Sequence, residues 1–176
     1  MAENSIIGSD RRMLDDCKDL GSASAYAEQI FALVGYSQFF AEFSREDIKL
    51  LAGYMRVYQA QPGKTIIREG DIGDYMLLII GGEVDIYKKN RTQEQQHLTS
   101  VTPGMTLGEM SMIDGEPRFA SCAAVKETVF AVLTRDTMVK IILENPSLGA
   151  KVLIKLVSML AQRLRQTSSK LLQTMP

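Results

Sequence analysis

At 176 residues, 45% of them hydrophobic, the chain can bury one core and carry an arm, but it is too short for two full domains. Its 20 basic and 21 acidic residues leave a net charge of -1, which removes the electrostatic case for nucleic acid or an acidic membrane as the main partner. Any bound anion must therefore be held locally.

The opening stretch MAENSIIGSDRRMLDDCKDL mixes acids and bases without the apolar stretch of a signal peptide, and the longest apolar run anywhere is the six residues of YMLLII. A cytoplasmic protein without a membrane span is expected. Residues 1–21 read as an arm with a short helix around Arg11 to Leu20, and Gly21, Ser22 and Ser24 as a break and cap. From Ala25 the spacing turns helical, with Tyr26, Ile30 and Val34 on one face. Ser44 followed by Asp47 then resembles a capping box that opens a second helix through Ile48, Leu51 and Ala52.

After Gly53 the period changes to two. Runs at 55–60, 64–67, 75–80, 83–88, 97–101, 119–125 and 128–133, rich in Val, Ile, Tyr and Thr, predict strands, with glycine at nearly every junction. Seven or eight short strands imply a mainly β fold with flanking helices, an antiparallel β-roll of the jelly-roll type, over residues 22–145. His97 and the thiols of Cys17 and Cys122 are expected to be ordinary structural residues, because one histidine and two distant cysteines cannot make a standard zinc set.

Helical spacing returns at Thr134 to Glu144, and Asn145-Pro146 can cap a last helix to about Gln173, roughly 40 Å at 1.5 Å per residue. That is more helix than so small a domain can cover. Residues 146–176 thus form a third segment, whose apolar positions Ala150, Leu153, Val157, Leu160, Leu164 and Leu171 look like a coiled-coil seam. A homodimer through residues 150–174 is expected. The seam is broken at Thr167, with Ser168 behind it; a polar seam residue can serve simply to set register.

Between two predicted strands lies PGMTLGEMSMIDGEPRFASCAAV, where Glu109 opens a possible helical turn to Ile113 and Arg118 follows nine residues later. Helix-turn N–H groups and an arginine fork are complementary to a phosphate, and a carboxylate accepts hydrogen bonds from sugar hydroxyls. A surface ion pair would give the same pattern. The run Gly108-Glu109, the nine-residue spacing to Arg118, Pro117 before it and Ala120-Ser121 after it resemble the phosphate-binding cassette of the cyclic-nucleotide-binding domain family. EGDIGDYMLLIIGGEVDIYK resembles that family's Gly-Asp strand-turn-strand signature. The resemblance runs from about Phe31 to Gln173, and in the last helix it is strongest to the sensor domain of the bacterial catabolite activator protein.

The resemblance implies cAMP as ligand. Arg118 would hold the cyclic phosphate with the backbone of Phe119 and Ala120 and with Ser121, and Glu109 the ribose 2'-hydroxyl beside Gly108 and Met110. Thr167 would bond adenine within its own subunit and Ser168 the nucleotide of the partner, while Arg163 would pair with Glu109. Phe119 departs from the family, which carries a hydroxyl there in the activator and in cGMP-preferring kinases; the change argues against cGMP and leaves room for a larger nucleotide such as cyclic di-GMP. Leu107 replaces the usual aromatic. The sequence ends at Pro176, so no DNA-binding helix-turn-helix is expected within it, and no nucleophile elbow, metal cluster or P-loop marks an enzyme. The expected protein is a stand-alone receptor that signals to an unidentified effector protein, the alternatives being a cyclic di-GMP or cGMP sensor or a dimeric scaffold with a vestigial pocket.

Overall fold

The computed structural model describes residues 11–174, so the first ten residues of the expected arm lie outside the described part. The rest of the arm differs from expectation. Only Arg11–Asp15 is helical (α1), and Lys18–Ser22 forms a strand (β1) paired antiparallel with Arg56–Ala60 (β2). A helix this short barely repays its nucleation, whereas the edge of β2 supplies a ready ladder, and the register slips at Asp19/Gly21, where Gly21 takes φ +91°. Leu14 and Cys17 fill the space beneath, and burial pushes the Cys17 thiol pKa up.

A 3-10 turn, Ala23–Tyr26, leads into Ala27–Ala32 (α2) and Arg45–Gly53 (α3). The capping box is formed: Ser44 accepts from the Asp47 amide at 3.1 Å while Asp47 accepts from the Ser44 amide at 2.8 Å. The roll follows with Thr65–Ile67 (β3), Tyr75–Gly81 (β4), Val84–Lys89 (β5), Gln95–Val101 (β6), Thr106–Leu107 (β7), a short helix Glu109–Asp114 (α4), Ser121–Ala124 (β8) and Thr128–Thr134 (β9). These make two antiparallel sheets, ordered β1-β2-β9-β4-β7 and β3-β8-β5-β6. Each of the seven predicted runs falls on one strand, with β4, β5, β6 and β9 reaching one or two residues beyond the run; β1 and β7 are additions.

The run YMLLII is β4, buried on both faces. Met76 and Leu78 pack toward the helices, with Phe39, Phe40, Ile48 and Leu51, while Tyr75, Leu77 and Ile79 pack toward the second sheet, with Ile66, Val84 and Phe130. Period-two alternation thus divides one strand between two cores. Thr134 caps Arg135–Glu144 (α5) by accepting from the Thr137 amide, and Pro146–Thr174 (α6) starts on its proline. The 29 residues of α6 run about 43 Å at 1.5 Å per residue.

Leu148, Val152, Leu156 and Met159 bury the first half of α6 in the helix-side core, each contributing roughly 1.5–3 kcal/mol. Polar ties add to this: Lys151 pairs with Asp47 at 2.6 Å and Lys155 with Glu42 at 3.0 Å. Past Gln162 the helix is exposed throughout its described residues. The predicted seam lies on its open side, with Val157, Leu164 and Leu171 at 62%, 68% and 60% exposure. No helix of the described residues is long and apolar enough to cross a membrane.

Candidate functional site

The site begins with a pair of glycines. Gly108 and Gly115 both take φ +78° and bracket α4, so the chain turns sharply off β7 into one and a half helical turns and sharply out again. At Gly108 a side chain is also excluded by space: a Cβ would stand 2.6 Å from Arg118 Nη1 and 3.1 Å from the Tyr75 carbonyl oxygen. The return limb is zipped to the β3–β4 loop. Arg118 N–H donates to Asp71 O at 2.8 Å, Gly70 N–H to Arg118 O at 2.9 Å, and Glu69 N–H to Ser121 Oγ at 2.9 Å.

These turns place Arg118 and Glu109 at the bottom of one pocket, 3% and 1% exposed. Arg118 Nη1 donates to Tyr75 O at 2.8 Å and to Gly108 O at 2.9 Å, with the guanidinium 4.5 Å from the centroid of the Tyr75 ring. Glu109 accepts from Thr106 Oγ1 at 3.3 Å and is ion-paired with Arg163 of α6. The cavity, about 760 Å³, has Ile67, Ile86 and Cys122 in its wall and exposed Leu98, Met105 and Phe119 at its mouth. Across it stand Leu160, Arg163, Leu164 and Thr167 of α6. Opposite charges at the floor and an apolar mouth suit a ligand that is anionic and hydroxylated at one end and flat and weakly polar at the other.

The sequence-predicted residues fall into two groups. Gly108, Glu109, Met110, Arg118, Phe119, Ala120 and Thr167 line the cavity together. Ser121 and Ser168 are not among its lining residues: the Ser121 hydroxyl is engaged by the Glu69 amide, and Ser168 is exposed on α6. Three further residues shape the site without having stood out in the sequence. Arg135, the first residue of α5, donates to Met112 O at 2.6 Å and Ser111 O at 2.8 Å, satisfying carbonyls at the end of α4. Lys88 and Glu69 pair at 2.9 Å behind Phe119, and hydrogen bonds from the Lys89 amide and from Lys88 hold the Glu69 carboxyl below its usual pKa. His97, on β6, lies 3.2 Å from Asp85 Oδ1 in a separate cluster with Ser100 and Tyr87. Both cysteines are free and buried.

A β-roll with a glycine-bracketed helical turn, a buried arginine beneath it and a long helix across the opening frames a small-ligand-binding pocket. The cyclic nucleotide-binding domain model matches residues 57–145, and the chain belongs to that family. It is similar to a crystal structure of a cyclic nucleotide-binding domain from Methylobacillus flagellatus, with 41% identity, 93% of this chain and 92% of that one covered, and a TM-score of 0.82. The catabolite activator protein of Thermus thermophilus superposes with a TM-score of 0.71 at 30% identity, over 77% of this chain and 62% of that one. The cyclic AMP receptor protein of the same organism is 30% identical over 77% of this chain. A CRP-like cAMP-activated global transcriptional regulator of Mycobacterium tuberculosis is 31% identical over 62% of this chain. The chain spans 61% and 47% of the lengths of those two sequences.

Proposed function

We propose that the chain is a receptor for cAMP that acts by binding and passes the signal to a protein partner through its C-terminal helices. The observation that carries this reading is the buried opposite-charge floor, Arg118 and Glu109, facing α6 across one cavity. Arg118, with the amides of Phe119 and Ala120, takes the cyclic phosphate: arginine offers a planar, permanently charged fork that lysine does not reproduce. Glu109, beside Gly108 and Met110, accepts from the ribose 2'-hydroxyl. Thr167 meets the adenine of its own subunit, and the exposed Ser168 reaches the nucleotide of a second copy. Ser121 supports the phosphate limb through the Glu69 amide. Relatives named as a cyclic AMP receptor protein and as a cAMP-activated regulator support cAMP as the nucleotide.

The second copy is supported by α6 itself. Its buried stripe is satisfied by the roll, while Val157, Leu164 and Leu171 leave a second apolar stripe open, and a twofold pairing of identical helices covers it. Isothermal titration with cAMP, cGMP and cyclic di-GMP tests the reading. cAMP is expected to bind most tightly. Affinity no tighter than for the other two removes cAMP as the ligand, and no binding of any of the three removes the receptor.

A further inference from the structure

The peptide between Phe119 and Ala120 joins the buried Arg118 to β8, and it is gripped from one side. Lys88 Nζ donates to Phe119 O at 2.6 Å and pairs with Glu69 Oε1 at 2.9 Å. Glu69 Oε2 accepts from the Lys89 amide at 3.0 Å, while the Glu69 amide donates to Ser121 Oγ at 2.9 Å. Glu69 thus ties the β3–β4 loop to the end of β5 and the start of β8. The carbonyl and the N–H of a trans peptide point opposite ways, so with Phe119 O turned to Lys88 the Ala120 N–H is turned away from it. That amide donates to nothing among the described residues, and Ala120 lines the cavity while Lys88 and Glu69 do not.

We propose that Lys88 and Glu69 are positioning residues that fix the Phe119–Ala120 peptide with its N–H aimed at the anionic end of the ligand. This rests on the receptor reading above, because it needs an anion in the pocket. A backbone donor adds most to binding when it is already aimed, since no ordering is then taken from the affinity. Phe119 is 57% exposed, so its own side chain does not supply that aim. Nor does Lys88 act as a plain positive charge: the Glu69 carboxylate beside it cancels its field at range, and both groups stand behind the peptide. What remains is direction, together with polarisation of the peptide by the ammonium on its oxygen, which makes the N–H a stronger donor.

Charge and position predict opposite signs, and calorimetric titration of the full chain with cAMP reads the sign. Glu69→Ala takes a carboxylate away from an anion site, so a role in charge alone makes the variant bind more tightly. A positioning role makes it bind about 3- to 30-fold more weakly, part of one hydrogen bond to a charged group. Lys88→Met/Glu69→Ala restores the net charge of the pair without the grip, and it should stay as weak as Glu69→Ala. Lys88→Arg keeps a donor for both oxygens and should bind within about threefold of the wild type. NMR on the isotope-labelled chain adds a signature that a general loss of stability does not move: cAMP should shift the Ala120 amide proton downfield in the wild type, and by less in Glu69→Ala. Both side chains are partly exposed, so circular dichroism melts should show each variant folded at the titration temperature; if Glu69→Ala is not, Glu69→Gln carries the same test of sign. Glu69→Ala that binds cAMP as tightly as the wild type or more so, a double variant that regains wild-type affinity, or a wild-type Ala120 amide that cAMP leaves unmoved overturns the positioning role while the receptor stands. Wild-type protein that binds no cAMP overturns both.

Discussion

Replacing Arg118 by alanine perturbs two things that the structure allows to be separated. In the ligand-free protein, Nη1 serves the carbonyls of Tyr75 and Gly108. A hydrogen bond from a charged donor contributes about 1.5–3 kcal/mol, and the Gly108 carbonyl keeps the Met112 amide at 3.3 Å, so the loss is less than two full bonds, about 2–4 kcal/mol. For a chain of this size that lowers the unfolding midpoint by roughly 5–15 °C. Binding is a separate quantity: losing one partner of a buried charge pair costs about 2–5 kcal/mol. With cAMP at a hundred times the wild-type dissociation constant, ligand stabilises the wild type by about 2.7 kcal/mol, a rise of roughly 5–11 °C. The same concentration stabilises the variant by less than about 1 kcal/mol, since its affinity is at least thirtyfold lower. Differential scanning fluorimetry with and without cAMP reads both effects. Arg118→Ala that keeps the full ligand-induced rise refutes the phosphate assignment, and an unchanged ligand-free midpoint refutes the structural role. Arg118→Lys keeps the charge without the fork and should fall between the two.

Gly108→Ala forces a left-handed alanine, about 1–2 kcal/mol, and drives its Cβ into Arg118 Nη1; circular dichroism melts should show a destabilised protein, and titration a more than tenfold loss of nucleotide affinity. Arg135→Ala removes the Arg135 donor from the Met112 carbonyl and leaves the Ser111 carbonyl with the Gly115 amide at 3.0 Å, so hydrogen exchange should speed up in residues 109–114 ahead of the rest of the roll, with a global loss of about 1–3 kcal/mol. Thr167→Val should weaken discrimination between cAMP and cGMP while leaving the dimer intact or firmer by sedimentation, since it restores an apolar seam residue; a dimer that falls apart gives Thr167 a structural role instead. The Glu69 carboxyl is held below its ordinary pKa by the Lys89 amide and Lys88, so its contribution to stability is fully present above the unfolded value of about 4.3 and is lost as pH falls through the folded one. An NMR titration should therefore find its midpoint below the ordinary glutamate value, with the Lys88–Glu69 pair lost only in acid.

Most of the architecture was legible because it rests on local signals. Period-two runs marked seven strands, Ser44 and Asp47 marked the start of α3, and Asn145-Pro146 marked the start of α6. β7 was not legible, because two residues cannot display a period and their strand exists only through pairing with Leu77 and Leu78. β1 was read as helix because its polar sequence carries no alternation; its conformation is imposed by the free edge of β2. The cassette supplies the charged floor of the pocket, yet the residues that hold the cassette come from far away in sequence. Lys88 meets Phe119 across 31 residues and Arg135 meets Met112 across 23, and nothing in a local pattern marks a lysine or an arginine for such a contact.

How binding could reach a partner follows from the uneven anchorage of α6. Its first half is fixed by four buried side chains and by the ties of Lys151 and Lys155, so it moves only if the helix-side core moves. Its second half has no buried residue among those described, and it is tied back by the ion pair of Arg163 with Glu109 and the hydrogen bond of Gln38 to Gln162. Glu109 is also the residue proposed for the ribose, so in that reading a sugar hydroxyl entering the floor would meet the carboxylate that holds the helix, while the base would meet Thr167 one turn further on. Both contacts act on the half of α6 that is cheapest to reposition, and neither requires the roll to repack. A ligand shifts such an equilibrium by its differential affinity for the two helix positions. The exposed stripe of Val157, Leu164 and Leu171 would then be the part of the molecule whose geometry the nucleotide sets.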